Sequence, residues 1–328
     1  MGYRPNYAAQ ALRLNRKLRI GVYFPQQIAS FFDPLRAGVR ASAQAAIGAK
    51  VEIVFRSFPS LDHGDQELIA ADANEHFDGI LITPGNPANL KGALAAWASN
   101  GVPVVCVASD APGGERLASV SIDAYASGAI AAELFSRTIH KAGELAAIVG
   151  DLATMDHAEK LRGFAAGIAL LAPHLTLLPA IESHEQPTKA YQRSISLLTH
   201  KPFPRGIYVT TANSLPVVRA LKEQRLFHKV QLITTDLFPE LIPSIEAGRV
   251  LATLDQRPFA QGKMALDQLL RFLLNGVKPA SVRRLAPNIV LRSNLTLFAG
   301  GLDGSLEDGS FQDGNYQDGG SHAAGDER

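Results

Sequence analysis

Arg19-Ile20-Gly21-Val22-Tyr23-Phe24 is a short apolar run, and behind it Phe32–Ile47 carries apolar residues at helical spacing until Gly48 interrupts. A second short run follows at Val51–Phe55. Strand, helix, strand at these lengths is the rhythm of a βαβ unit. The rhythm persists. Gln66–Glu75 reads as a helix, Gly79–Thr83 as a strand, Pro87–Ser99 as a helix ended by Asn100-Gly101, and Val102–Val107 as a strand. A helix at Ala124–Ile139, a strand at Glu144–Val149 and a helix at Asp156–Leu171 come next. Leu175–Ile181, Gly206–Val209 and Val230–Thr234 read as strands with helices between them. Val250–Leu254 precedes a long helix from Pro258 to Leu274, closed by Asn275-Gly276.

Alternation of this kind implies parallel sheets joined by right-handed crossovers. About eleven strands are too many for one open sheet, so two lobes are expected. The fold class is therefore α/β, each lobe a parallel sheet flanked by helices. The first lobe is expected over about 18–117 and 256–285, and the second over about 118–255 and 286–299. The chain would cross near Ala118, Asp255 and Ala286, and loops at the strand carboxyl ends would converge on a cleft between the lobes.

Composition narrows the class. Of 328 residues 46% are hydrophobic and 19% charged, with net charge +1, which is a globular balance. No run of about 18 apolar residues occurs, and no leader-like apolar stretch follows the basic amino terminus. Cys106 is the single cysteine, so an intramolecular disulfide is impossible. The expectation from these features is a cytoplasmic protein. From Gly300 the chain turns to Asp-Gly repeats at Asp303, Asp308, Asp313 and Asp318. Residues 300–328 are expected to form a disordered acidic tail, since they hold too little apolar surface to order themselves.

The amino end is basic. Arg4, Arg13, Arg16, Lys17 and Arg19 precede the first acidic residue, Asp33. Pro5 suits a helix start, and Ala8, Ala9 and Leu12 share one helical face. An ordinary amphipathic lead-in helix with a solvated basic face fits these residues. So does a hinge over residues 1–17 that enters the minor groove of DNA, with Leu12 as a wedge between base steps.

Gly2-Tyr3-Arg4-Pro5-Asn6, with Ala9-Gln10-Ala11-Leu12 after it, resembles the hinge of the lactose-repressor family of transcription regulators; Gln10 stands where that family often has Arg. The resemblance implies DNA contacts from Arg4, Ala8, Leu12 and Arg13, operator DNA as a partner and a homodimer. About 45 residues of helix-turn-helix would precede such a hinge, so weak DNA binding is expected of the chain as it stands.

The rest, from about Arg19 to Phe298, resembles the periplasmic-binding-protein-like effector domain of the same family, in its subgroup related to ribose-binding proteins. Ala29-Ser30-Phe31-Phe32 corresponds to Asn-Pro-Phe-Phe. The resemblance implies that Phe31 and Phe32 sandwich a sugar ring, although core phenylalanines at a helix start fit as well. Ala108-Ser109-Asp110 resembles Asp-Ser-Asp, with Asp110 either on vicinal hydroxyls or capping a turn. In Asp156-His157-Ala158-Glu159-Lys160-Leu161-Arg162-Gly163-Phe164, Lys160 occupies the place of a ligand-gripping Arg, or is a solvated helix residue. Asn213 follows a strand as the family's Asn-Asp does. Thr234-Thr235-Asp236-Leu237-Phe238-Pro239-Glu240 matches Gly-Phe-Asp-x-x-Pro-Glu. Ala252-Thr253-Leu254-Asp255-Gln256-Arg257-Pro258 resembles Ala-Thr-Val-x-Gln-x-Pro. Asp236 and Gln256 are the implied ligand contacts there.

A regulator that senses a sugar or small polar metabolite is the expected function. The alternatives are a substrate-binding protein of a sugar ABC transporter and a stand-alone cytosolic sugar-binding protein. An enzyme is not expected: no phosphate loop, nucleophile elbow or zinc-binding pattern is present. The nine histidines show no metal-ligand spacing, and His63, His76 and His157 read as surface or core residues. No cofactor or metal is expected.

Overall fold

A computed structural model describes residues 17–46 and 49–299. The expected DNA-contacting residues Arg4, Ala8, Leu12 and Arg13, and the expected tail at 300–328, lie outside the described residues. The chain begins with β1 (Leu18–Pro25), α1 (Ala29–Ala45), β2 (Val51–Phe58), α2 (Asp65–Ala71), β3 (Gly79–Ile82), α3 (Pro87–Ser99), β4 (Val104–Val107) and β5 (Ala118–Ile122). A second series follows: α4 (Ala124–Thr138), β6 (Gly143–Val149), α5 (Met155–Leu171), β7 (Leu175–Leu177), β8 (Ile181–Glu182) and α6 (Pro187–Thr199). It continues through β9 (Gly206–Val209), α7 (Leu215–Glu223), β10 (Gln231–Thr235), α8 (Ile242–Glu246) and β11 (Ala252–Asp255). The long α9 (Pro258–Asn275), β12 (Val282–Leu285), β13 (Asn288–Val290) and α10 (Leu295–Ala299) close it.

Two sheets result. The first has the order β12-β5-β4-β3-β1-β2, and the second β13-β11-β10-β9-β6-β7 with β8 also on β6. All pairings are parallel except β11 with β13. These are two parallel α/β lobes of the periplasmic-binding-protein type I fold. Strand order reverses at β1/β3 in the first lobe and at β6/β9 in the second. Crevices outside the carboxyl ends of strands at such reversals are where open α/β sheets hold ligands, and here the two crevices face each other.

Several expected boundaries change, three of them for reasons visible in the sequence. Ala118–Ile122 pairs with β4 and β12, so the first crossover lies after Ile122 and not near Ala118. Ser119 and Ser121 interrupt the apolar run there, which hides the strand from a reading by hydrophobicity. The run from Leu175 to Ile181 is two strands, because Pro179 has no N–H to offer the ladder. Pro103 delays β4 to Val104 in the same way.

Helices pair closely within each lobe. A Cβ at Gly163 would stand 2.0 Å from the Tyr125 carbonyl oxygen, and one at Gly128 1.9 Å from the Lys160 carbonyl oxygen. Only glycine permits α4 and α5 this approach. The first lobe repeats the device where Gly38 and Gly262 let α1 and α9 meet. The crossovers are braced to one another: Asp123 N–H donates to Leu285 O (2.8 Å), and Asn288 Nδ2 to Asp255 Oδ2 (3.2 Å).

Candidate ligand-binding site

A cavity of about 40 Å³ lies between the lobes. The first lobe contributes Ile28, Phe31 and Phe32 after β1, Thr83 after β3, and Ala108 and Ser109 after β4. The second contributes Thr154, Asp156 and His157 after β6, Thr211 and Ala212 after β9, and Asp236 after β10. Gln256, on the crossover that leaves β11, completes the wall. Each position follows from the rule that parallel strands deliver their carboxyl ends to one edge of the sheet.

One side is apolar. Phe31 and Phe32 are 6% and 2% exposed, with ring centroids 5.0 Å apart and planes at 84°. That edge-to-face contact leaves no slot between them, so the expected sandwich of a sugar ring is corrected to a corner. Phe32 also packs on Phe24 beneath it, at 6.0 Å.

The opposite side is ionic. Lys160 is fully buried on α5, and its Nζ donates to Asp156 Oδ2 (2.6 Å), Gln256 Oε1 (2.7 Å) and Thr210 O (3.0 Å). All three ammonium protons are thereby used. Burial by itself disfavours the Lys160 charge, but the charges of Asp156 and Asp236 and the Asp156 hydrogen bond outweigh it, and the pKa stands above the ordinary lysine value. The expectation of a ligand-gripping or solvated Lys160 is corrected: it stands behind the wall and orients residues that form it.

Asp236, with φ 65° at the end of β10, accepts from Gln256 N–H (3.1 Å) on one oxygen and from Gln256 Nε2 (2.7 Å) on the other. Gln256 is therefore held at both ends of its amide. Gln261 Nε2 of α9 donates to its carbonyl at 2.7 Å. Burial, and next the charge of Asp255, push Asp236 up to about 7, against the pull of Lys160 and the Gln256 hydrogen bonds. Burial raises Asp255 as well.

Behind the second-lobe wall, His157 Nδ1 accepts the Asp151 N–H (3.0 Å), and its Nε2 lies 3.2 Å from Glu185 Oε1. Glu185 Oε2 accepts from Thr211 Oγ1 at 2.6 Å. His157 is a buried residue, in line with the core reading, and it also lines the cavity. His63 and His76 are exposed.

Two expected ligand residues stand elsewhere. Asp110 is clamped by Arg116, whose Nε and Nη2 donate to its two oxygens, the latter at 2.6 Å, and it borders a neighbouring depression. It also accepts from the Ala111 N–H (2.7 Å), which is the turn-capping alternative. Asn213 lines a separate groove beside Ile28 and Phe238. The sequence reading missed Thr83, Ser109, Thr154, Asp156 and Thr211. Thr83, Ser109 and Thr211 stand within two residues of a strand end, and that position was the available signal.

Three side-chain atoms of the cavity wall are buried without a hydrogen-bond partner: Thr83 Oγ1, Ser109 Oγ and Asp156 Oδ1. They belong to residues of both lobes that line the cavity together with Phe31 and Phe32. A polar occupant of the cavity is one way such atoms gain the partner that buried polar groups normally have. Apart from the cavity, Asp151, Glu182 and His184 bring ligand-type atoms within 4.8 Å of one another, a grouping that spacing along the chain conceals.

Residues 20–276 match the model of the periplasmic binding protein domain family, so the chain belongs to that family. The D-allose-binding periplasmic protein of Escherichia coli (strain K12) is 25% identical over 252 residues, covering 73% of this chain and 79% of that protein. A glucose-galactose binding protein from Geobacillus stearothermophilus superposes with TM-score 0.78 at 21% identity, covering 85% and 99% of the two chains. A periplasmic solute binding protein from Actinobacillus succinogenes 130z, solved with bound D-allose, gives TM-score 0.76 at 19% identity, with 86% and 100% covered.

These matches overturn the regulator reading. The core motifs quoted for a repressor lie within the residues that match the periplasmic binding protein domain. The match is to periplasmic binding proteins, and with the regulator go the expectations of operator DNA and a cytoplasmic location. The family is one of binding proteins and not of enzymes, as expected.

Proposed function

We propose that the chain is the sugar-binding component of an ABC transporter, an extracytoplasmic protein that takes a monosaccharide between its lobes and presents it to a membrane partner. The observation that carries this reading is the convergence of Thr83, Ser109 and Asp156, each with an unpaired buried oxygen, opposite Phe31 and Phe32. A sugar has the matching asymmetry: hydroxyls at its rim, and an apolar C–H face suited to a flat aromatic. The names of the relatives, which bind D-allose or glucose and galactose, support the same class.

Phe31, Phe32, Thr83, Ser109, Asp156, Asp236 and Gln256 are the proposed contacts, with Lys160 as a positioning residue. A cavity of about 40 Å³ holds on the order of three waters. A monosaccharide needs more, so the lobes part for it and close again about the crossovers after Ile122, Asp255 and Leu285. Isothermal titration with D-allose, D-glucose and D-galactose tests the reading. Saturable binding of a monosaccharide that is weakened by substitution at Asp156 or Gln256 is the expected result. Binding that ignores both substitutions would overturn the site.

A further inference from the structure

The cavity wall contains Asp156, Asp236 and His157, and among the described lining residues there is no Arg or Lys. Lys160, the buried ammonium behind the wall, has no proton left to give. Behind His157 and Thr211 lies a further carboxyl, that of Glu185. Carboxyl groups thus outnumber the cations that serve them, and two of their oxygens, Glu185 Oε1 and Asp156 Oδ1, have no hydrogen-bond donor. Of these two residues only Asp156 lines the cavity. From this arrangement we infer that the preferred ligand is an amine-bearing sugar, whose ammonium pairs with Asp156 Oδ1 while its hydroxyls meet Thr83 and Ser109. The inference rests on the sugar-site reading and narrows it.

The physical case has two sides. A buried carboxylate oxygen without a donor is costly, and a charge-assisted N–H···O bond relieves it more fully than a neutral hydroxyl does. A ligand carboxylate or phosphate, in contrast, would be desolvated beside Asp156 and Asp236 with no free cation to receive it. Asp236 adds a second carboxyl to the wall; burial first, and then the charge of Asp255, push it up to about 7. Asp255 itself has Arg257 close by, so it adds less to the imbalance.

The test compares matched ligands on the intact chain: glucosamine, glucose and glucuronate, then galactosamine, galactose and galacturonate, by isothermal titration at pH 7. An amine bound at least tenfold more tightly than its neutral counterpart, with no heat from either acid, is the expected result. A neutral sugar bound as tightly as its amine, or any binding of an acid, overturns the inference and leaves the sugar site standing. Silence from the whole set overturns the inference, and silence from D-allose as well sinks the sugar site with it. Asp156→Asn should abolish the amine advantage while near-ultraviolet circular dichroism confirms the fold. An advantage that survives in that variant assigns the preference elsewhere and overturns the role of Asp156. The wild-type comparison stands even if the variant does not fold.

Discussion

Lys160 Nζ lies 2.7 Å from Gln256 Oε1, so a helix of the second lobe holds the strap that crosses back to the first. The same ammonium fixes Asp156 on the cavity wall, and Asp236 grips the other end of the Gln256 amide. One buried cation thereby aligns a wall residue with a crossover. Ligand recognition and lobe geometry share a single network.

Removing that cation should be costly. Lys160→Met leaves Asp156 and the Gln256 carbonyl buried without their donor, and breaking one side of a buried ion pair costs about 3–5 kcal/mol. Urea unfolding of the variant measures this, and a loss below about 1 kcal/mol would contradict the network.

Gly163→Ala should force α4 from α5, because the added carbon falls 2.0 Å from the Tyr125 carbonyl. Overpacking of this kind costs about 1–3 kcal/mol. Since Lys160 sits one turn away on the same helix, sugar affinity should fall together with the melting temperature. An unchanged melting temperature would mean the helices have room to move apart.

The two phenylalanines should separate by variant. Phe32 packs on Phe24 and Phe31, so Phe32→Ala should cost about 3–5 kcal/mol of stability. Phe31→Leu keeps most of the volume but removes the ring, and should weaken sugar binding roughly tenfold, the size of one aromatic contact. Equal affinity in Phe31→Leu would remove the stacking role.

Asp110→Asn should alter sugar affinity less than about threefold, since a salt-bridged side chain outside the cavity contributes little to binding. Its carboxylate is already held by Arg116 and it does not line the cavity. A loss approaching that of Asp156→Asn in a titration would return Asp110 to the site.

Stability should decline as the pH rises to neutrality. The folded Asp236 carboxyl titrates near 7 while an unfolded one titrates near the ordinary 3.8, so between those values the folded chain holds the extra proton. Its contribution is full below the unfolded value and is lost as pH rises through the folded one. Burial raises Asp255 in the same direction. Melting temperatures should fall between pH 5 and about 7 and level off above, with a shallower slope in Asp236→Asn; identical slopes would assign the effect to other groups.

Much of this was readable before any coordinates. The alternation from Arg19 to Leu274 determined two parallel α/β lobes, and the strand-end motifs marked Asp236 and Gln256, because strand and helix periods are local properties of the chain. The same motifs pointed to a regulator, since side chains at strand ends reflect the shared fold and not the use made of it. Ser119 and Ser121 concealed a strand that only its partners reveal.

Contacts across the cleft were decided by tertiary structure alone. Nothing near Lys160 in sequence indicates that its charge is spent on Gln256, 96 residues away, or that Asp156 keeps an unpaired oxygen on the cavity. Nor does the Phe31-Phe32 dipeptide disclose that its rings meet edge to face. Periodicity places a side chain on a face of its own element. Which donor reaches which acceptor depends on how two lobes fold against each other, and the chain settles that only when its distant parts are brought together.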